Sequence, residues 1–304
     1  MRIGCVTGAG SDRDNSFDGI VDFAKRLETM GFANVWMANI FGFDAMTMLA
    51  AMGRETSTLG LGTAVVPTYP RHPVAMAQQA MTTAAAAKGR FSLGIGLSHK
   101  VMIEDMLGLS YDKPAKHMRE YLEVLSPLLK GESVSYQGEQ YRVNAQINIE
   151  DNYEVPLIVA ALGPVMLKLA GSLTDGTVTW MTGVDTLASH IIPSINSAAA
   201  EAGKPAPRIV AGLPIALTND VEGAKAKVDE SLAIYGQLPS YRAMLDKEGA
   251  AGPSDVALLG DEAALREKIQ QLRECGVTDF NAAVVNVDRG SFDRTIEFLR
   301  SELG

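Results

Sequence analysis

The chain has 304 residues and a formal net charge of −9, with 47% hydrophobic and 21% charged residues. That balance supplies a sizeable buried core and leaves no basic surface for nucleic-acid phosphates. Two cysteines without motif spacing exclude a disulfide framework and a zinc site, and the lack of a signal-peptide core or a membrane-length apolar run points to a cytoplasmic protein with no membrane partner.

Strand-like and helix-like stretches alternate along the chain, the pattern of a parallel sheet with crossover helices. Ile3 to Val6 reads as strand one, followed by a Gly8 to Ser11 turn and an amphipathic helix over Phe17 to Met30. Val35 to Met37 is strand two, Asp44 to Gly53 a helix, and Leu59 to Val66 strand three. A loop rich in Pro then leads to Pro73, which opens an alanine-rich helix at the position where a missing N–H costs nothing. Phe91 to Gly96 is strand four. An insertion follows, with Met118, Tyr121, Leu122, Leu125 and Leu129 on one face of a Pro114 to Leu129 helix and a hairpin over Val134 to Val143 turning at Gly138. Leu157 to Ala161, Gly176 to Trp180, Ile209 to Leu217 and Phe280 to Val285 complete eight strands, with helices from Pro164, Thr186 and Phe292 between and after them. The long stretch between the last two strands holds a helix to Tyr235, a break at Leu238-Pro239, a short Tyr241 to Lys247 helix and another starting near Asp261. Eight strands with eight crossovers predict one (β/α)8 TIM barrel over residues 1–304, with insertions after strands four and seven; an open doubly wound sheet is the competing arrangement.

In such a barrel the chemistry belongs at the C-terminal ends of the strands. Thr63, Ala64 and Val65 lie where strand three runs out, and Gly96, Ser98 and His99 where strand four does. The glycines Gly94 and Gly96 admit either a flat ring or a neighbouring backbone. His99 is one of four histidines and the one placed at a strand end. Asn39 ends strand two, where it either contacts a ligand or caps the turn. Leu162 and Gly163 before Pro164 present backbone N–H groups at a helix start, suited to an anion or to ordinary capping. Arg71 and His72 follow strand three and serve a ligand or their own loop, while Met46, Met48, Met52, Met76 and Met81 fall at core-filling spacing. Metal-ligand spacing, a nucleophile elbow and a Walker loop are absent. Small residues at strand ends without obvious acid–base groups suit a bound cofactor that carries the chemistry.

Gly62-Thr-Ala-Val-Val-Pro-Thr-Tyr-Pro-Arg-His-Pro73, Arg90-Phe-Ser-Leu-Gly-Ile-Gly96, His117-Met-Arg-Glu-Tyr-Leu122, Ala160-Ala-Leu-Gly-Pro164 and Asp175-Gly176 together carry a family resemblance. The chain resembles the bacterial luciferase-like monooxygenase superfamily over nearly its whole length. Within it, the chain looks most like the oxidoreductases that use the deazaflavin coenzyme F420, among them the methylenetetrahydromethanopterin reductases and glucose-6-phosphate dehydrogenases of that group. The resemblance implies a flavin-like cofactor, a small-molecule substrate and a homodimer. It also implies a non-prolyl cis peptide at Ala64–Val65 backing the ring, contacts from Thr63, Gly96, Ser98 and His99, and a cofactor phosphate at Ala161, Leu162 and Gly163. Relatives often carry Asp-His at the end of strand two, where this chain has Ala38-Asn39, so the resemblance leaves proton delivery to His99 with Asn39 positioning the ring or a water. Trp180 and Gly183 stand where the sugar-phosphate enzyme holds its phosphate, which argues for a less polar substrate against Trp180, Met181 and Tyr241. Two other functions fit the same fold: an FMN-dependent two-component monooxygenase and a non-catalytic cofactor-binding protein.

Overall fold

Eight parallel strands close into a barrel in the computed structural model, which describes residues 1–8 and 14–304. They are β1 (Arg2–Thr7), β2 (Asn34–Met37), β3 (Gly60–Thr63, resuming at Val66–Pro67), β4 (Phe91–Gly96), β5 (Leu157–Ala160), β6 (Gly176–Trp180), β7 (Arg208–Leu217) and β8 (Asp279–Val284). Each strand pairs with the next, and β8 pairs with β1, so the sheet has no open edge and the doubly wound alternative falls. The ten-residue β7 outlasts its neighbours and adds a short strand, Leu258–Gly260, which the sequence reading missed. Residues 9–11 of the expected first turn lie outside the described residues.

The helices are α1 (Phe17–Met30), α2 (Ala45–Glu55), α3 (Pro73–Ala86), α4 (Pro114–Leu129), α5 (Pro164–Leu173), α6 (Ile192–Glu201), α7 (Val221–Gln237), α8 (Pro239–Glu248), α9 (Glu262–Glu274) and α10 (Ser291–Ser301). Their starts have local causes. Ser16, Asp44, Asp220 and Asp261 each accept a backbone N–H from the first turn of the helix they precede. The expected helix at Thr186 begins earlier, at Val184, and passes through a wider π-type turn over Leu187–Ile191 before α6. No apolar periodicity distinguishes such a turn from α-helix. Among the described residues, no helix is long and apolar enough to cross a membrane.

Strand alternation sorts the barrel interior into layers. At the N-terminal end, Asp279 of β8 receives both ends of the Arg208 guanidinium, at 2.9 and 2.7 Å, with Arg2 and Asn34 completing the cluster. Above it lies an apolar layer of Trp36, Ile158, Val178 and Val210, with the Arg208 guanidinium 5.0 Å from the Trp36 ring centroid. Gly62 belongs to this packing, since a Cβ there would collide with the Trp36 indole. Half-buried Ala64, Val65 and Ala160 cap the layer toward the C-terminal face. The helices wrap this core with a larger shell that includes all five methionines assigned to it from spacing.

The insertion after β4 is tied down by the His117 to Leu122 segment of α4. Glu120 accepts three backbone N–H groups from the hairpin turn, those of Glu139, Gln140 and Tyr141. Tyr121 donates to the Arg71 carbonyl, which anchors the loop after β3. His117 is buried, hydrogen-bonds Thr68 at 2.9 Å and stacks on Tyr69 with ring centroids 3.9 Å apart. Burial holds its imidazole down to a pKa of about 4.

Candidate active site

The peptide bond between Ala64 and Val65 is cis. Around it β3 stops and restarts, and the hydrogen bonds lost from the ladder are replaced locally. Ala64 N–H donates to the Met37 carbonyl, and Asn39 N–H donates to the Val65 carbonyl at 3.2 Å. The Thr63 hydroxyl donates to the Gly94 carbonyl and accepts from the Gly94 N–H, both at 2.8 Å. Thr63 is thus wholly buried and committed to fixing the bulge, which corrects its expected place on the ligand surface. Gly96 sits beneath the bulge, where a Cβ would press on Val65 and Ala160. The outcome is a shallow floor of Ala64, Val65 and Ala160 at the top of the barrel.

Ala161 corrects in the same way. Ile158 and Ala160 point into the barrel, so Ala161 points out and is buried in the outer shell; its neighbour Ala160 takes the inward position. Beyond it, the Leu162 carbonyl accepts a hydrogen bond from His190 Nε2 at 2.8 Å. Gly163 is the N-cap of α5 without a side-chain cap, Pro164 has no N–H to satisfy, and no atom lies within 4 Å of the place a Gly163 Cβ would take. Open backbone donors at a helix start beside free space fit a phosphate. Apolar floor and open donors together fit a flat, phosphate-bearing cofactor of the flavin or deazaflavin kind.

A run of aromatic rings links the end of β4 to the end of β6. His99 lies 5.4 Å from Tyr241, Tyr241 lies 5.3 Å from Tyr235, and Tyr235 lies 6.0 Å from Trp180, all between ring centroids. The sequence reading named three members of this chain; Tyr235, from α7, was missed because nothing local marks it. Burial pushes the His99 imidazole below the ordinary histidine value and the Tyr235 and Tyr241 hydroxyls above theirs. Trp180 Nε1 is buried with no hydrogen-bond partner. Ser98 and Met181, at the ends of β4 and β6, both adopt left-handed backbone, with φ of 59° and 53°. Non-glycine residues take that region rarely and often at functional sites. Met181 itself is fully buried, so it offers no surface of its own to a substrate, which corrects its expected place in the pocket.

Asn39 Oδ1 accepts the Ala45 N–H at 3.0 Å, so the side chain holds the start of α2 while its backbone holds the bulge. Arg71 pairs with Asp44, and His72 caps α3 by accepting the Val74 N–H, so both serve their own loop. Among the described residues, no group of three or more His, Cys, Asp or Glu side chains is arranged to hold a metal ion.

Fold and floor define a cofactor-binding barrel, and the sequence comparisons give it a family. Residues 1–284 match the luciferase-like monooxygenase family, and the chain belongs to it. It is 33% identical over 156 residues to the 5,10-methylenetetrahydromethanopterin reductase of Archaeoglobus fulgidus, a match covering 51% of this chain and 46% of that relative. It is 27% identical over 263 residues to the F420-dependent glucose-6-phosphate dehydrogenase of Kineococcus radiotolerans, covering 82% of this chain and 77% of the relative. The fold matches that of the coenzyme F420-dependent tetrahydromethanopterin reductase of Methanopyrus kandleri with a TM-score of 0.77 at 22% identity, over 99% of this chain and 98% of the other.

Proposed function

We propose that the protein is a coenzyme F420-dependent oxidoreductase acting on a small organic substrate at the C-terminal face of the barrel. The observation that carries this reading is the half-buried apolar floor of Ala64, Val65 and Ala160 beside the uncapped start of α5, in a chain whose relatives include enzymes named for F420. F420, when bound, supplies a deazaflavin ring that gives or takes a hydride. Ala64, Val65 and Ala160 back the ring, Gly96 and Ser98 border it, and the donors at Leu162, Gly163 and the first turn of α5 hold its phosphate. Asn39 acts as a positioning residue through its grip on the bulge. The substrate lies against Trp180 and Tyr241, and rate comes chiefly from holding the two reactants in register.

His99 is the proton-handling group. Its lowered pKa leaves the imidazole neutral at pH 7, with a lone pair free to accept a proton from a substrate oxidised by hydride loss. In the reducing direction an imidazole nitrogen of the same residue returns the proton. An anaerobic fluorescence titration of the purified protein with F420 and, separately, with FMN tests the proposal. Micromolar or tighter F420 binding with weak FMN binding is expected. The reverse preference would replace it with the monooxygenase reading, and binding of F420 without turnover of any alcohol, enone, imine or aldehyde would favour a non-catalytic binding protein.

A further inference from the structure

His99 stands on a short piece of backbone that is held from the side of the insertion. At the last residue of β4, the Gly96 carbonyl accepts the Thr68 N–H at 3.0 Å. Two residues on, the Ser98 carbonyl accepts the Tyr111 hydroxyl at 3.2 Å. The His99 carbonyl then accepts the Met102 and Ile103 N–H groups at 2.9 and 3.0 Å, which starts the π-type turn Met102–Met106. Of these bonds, only the one to Ser98 comes from a side chain, and it falls on the peptide that carries His99. The Ser98 carbonyl and the His99 N–H share one rigid plane, so fixing that carbonyl fixes the direction in which the His99 side chain leaves the backbone.

Ser98 needs such a partner, because its φ of 59° is left-handed. That backbone is costly for a residue with a Cβ, and the net gain from one hydrogen bond is of the same order. The Tyr111 hydroxyl is therefore large enough to decide whether the conformation persists. Tyr111 is in turn placed by other rings. It stacks on Tyr69 with centroids 5.1 Å apart, and Tyr69 stacks on His117 of α4 at 3.9 Å and 4°. His117 is bonded to Thr68, the residue whose N–H holds Gly96. At its other end, the Tyr111 N–H donates to Glu104 Oε1 at 3.2 Å. Tyr69 Oη has no hydrogen-bond partner, so the middle ring serves the stack with its faces and not with its hydroxyl.

We infer that Tyr111 is a positioning residue for His99, acting through the Ser98 carbonyl, and that the stack of Tyr111, Tyr69 and His117 carries the insertion's rigidity to the end of β4. This rests on the reading of His99 as the proton-handling group, but its test needs neither cofactor nor substrate. Modification of the full-length protein by diethyl pyrocarbonate at pH 7 is followed at each histidine by mass spectrometry. His190, bonded to the Leu162 carbonyl outside this network, reports any general loosening. Tyr111→Phe keeps the ring and removes only the hydroxyl. It is expected to raise the His99 rate about fivefold, the factor one net hydrogen bond is worth, with the His190 rate unchanged. Tyr69→Phe deletes a hydroxyl that bonds nothing and is expected to leave both rates as in wild type. Glu104→Ala releases the Tyr111 backbone and is expected to act on His99 in the same direction by a smaller factor, so it carries the test if Tyr111→Phe fails to fold. An unchanged His99 rate in the folded variants, equal acceleration at His190, or the same acceleration from Tyr69→Phe would overturn the inference. Unchanged turnover in His99→Ala would remove the proton role and leave the positioning contact standing; lost turnover there with no effect of Tyr111→Phe would do the opposite.

Discussion

At the N-terminal end of the barrel, the Asp279 carboxylate takes hydrogen bonds from Arg208, Arg2, Asn34 and Thr278, and each is between 2.7 and 3.1 Å. Burial alone would raise the Asp279 carboxyl, but the Arg208 hydrogen bonds and charge, with help from Arg2, hold it below the usual carboxylate value. Beyond that cluster, buried side-chain atoms go without partners: Trp36 Nε1 and Asn281 Oδ1 next to it inside the barrel, Thr179 Oγ1 and Trp180 Nε1 at the end of β6, Tyr69 Oη after β3 and Ser126 Oγ on α4. Buried polar groups are nearly always paired, and exceptions gather where a protein waits for something else. What separates the two regions is pairing: the cluster around Asp279 ties β1, β2, β7 and β8 together through satisfied charges, and the other end is the one our proposal assigns to the ligand.

The comparison breaks most directly at Asp279. Asp279→Ala strands a buried guanidinium and is expected to cost about 3–5 kcal/mol in urea unfolding while leaving cofactor affinity in the folded fraction unchanged. A loss of affinity without loss of stability would show that the two ends are not separate.

His117 gives a pH test in the collar between them. Its folded pKa of about 4 lies below the ordinary 6.5, so the unfolded chain binds the proton first as pH falls. Its contribution to stability is complete above about pH 6.5 and declines progressively toward pH 4, by at most about 3 kcal/mol. Unfolding free energies of wild type and His117→Gln, measured between pH 7 and 4, should converge on acidification. Parallel curves would mean that His117 is charged or exposed in the folded protein.

At the open end, His99→Ala should lower turnover by about a hundredfold with F420 affinity intact, in keeping with loss of a proton carrier. The wild-type rate of substrate oxidation should persist below pH 6.5, since the neutral form survives there, and fall on further acidification. Unchanged turnover in the variant would remove His99 from the mechanism. The smallest expected effect isolates the phosphate site. Gly163→Asp meets no neighbour and supplies α5 with a capping side chain, so stability should hold or rise by a few tenths of a kcal/mol. The added carboxylate should nonetheless weaken F420 binding about tenfold through like-charge repulsion. Equal affinity would place the phosphate elsewhere.

Much of the fold was legible along the chain. Phe17 to Met30, Pro114 to Leu129, Phe91 to Gly96 and Gly176 to Trp180 fall where periodicity and punctuation put them, because apolar spacing and caps are local. The cis bond at Ala64–Val65 was expected from resemblance, not from any pattern in the residues themselves. Of the residues proposed for the site, His99 and Trp180 at strand ends and Tyr241 on α8 lie along one run of rings, with Tyr235 joining Trp180 to Tyr241.

Which side chain of a strand end faces in was not legible, since a one-residue shift exchanges Ala160 for Ala161 and nothing in two adjacent alanines breaks the tie. Thr63 reads as a ligand-facing hydroxyl until β4 is set beside it. Tyr235 lies in a helix whose sequence gives no sign of that run of rings, and only the packing of α7 against the end of β6 and against α8 brings it there. The eight-strand alternation and most helix ends were fixed along the chain, because these follow from contacts between near neighbours. Tertiary packing decided which atoms line each end, because those contacts join residues tens of positions apart.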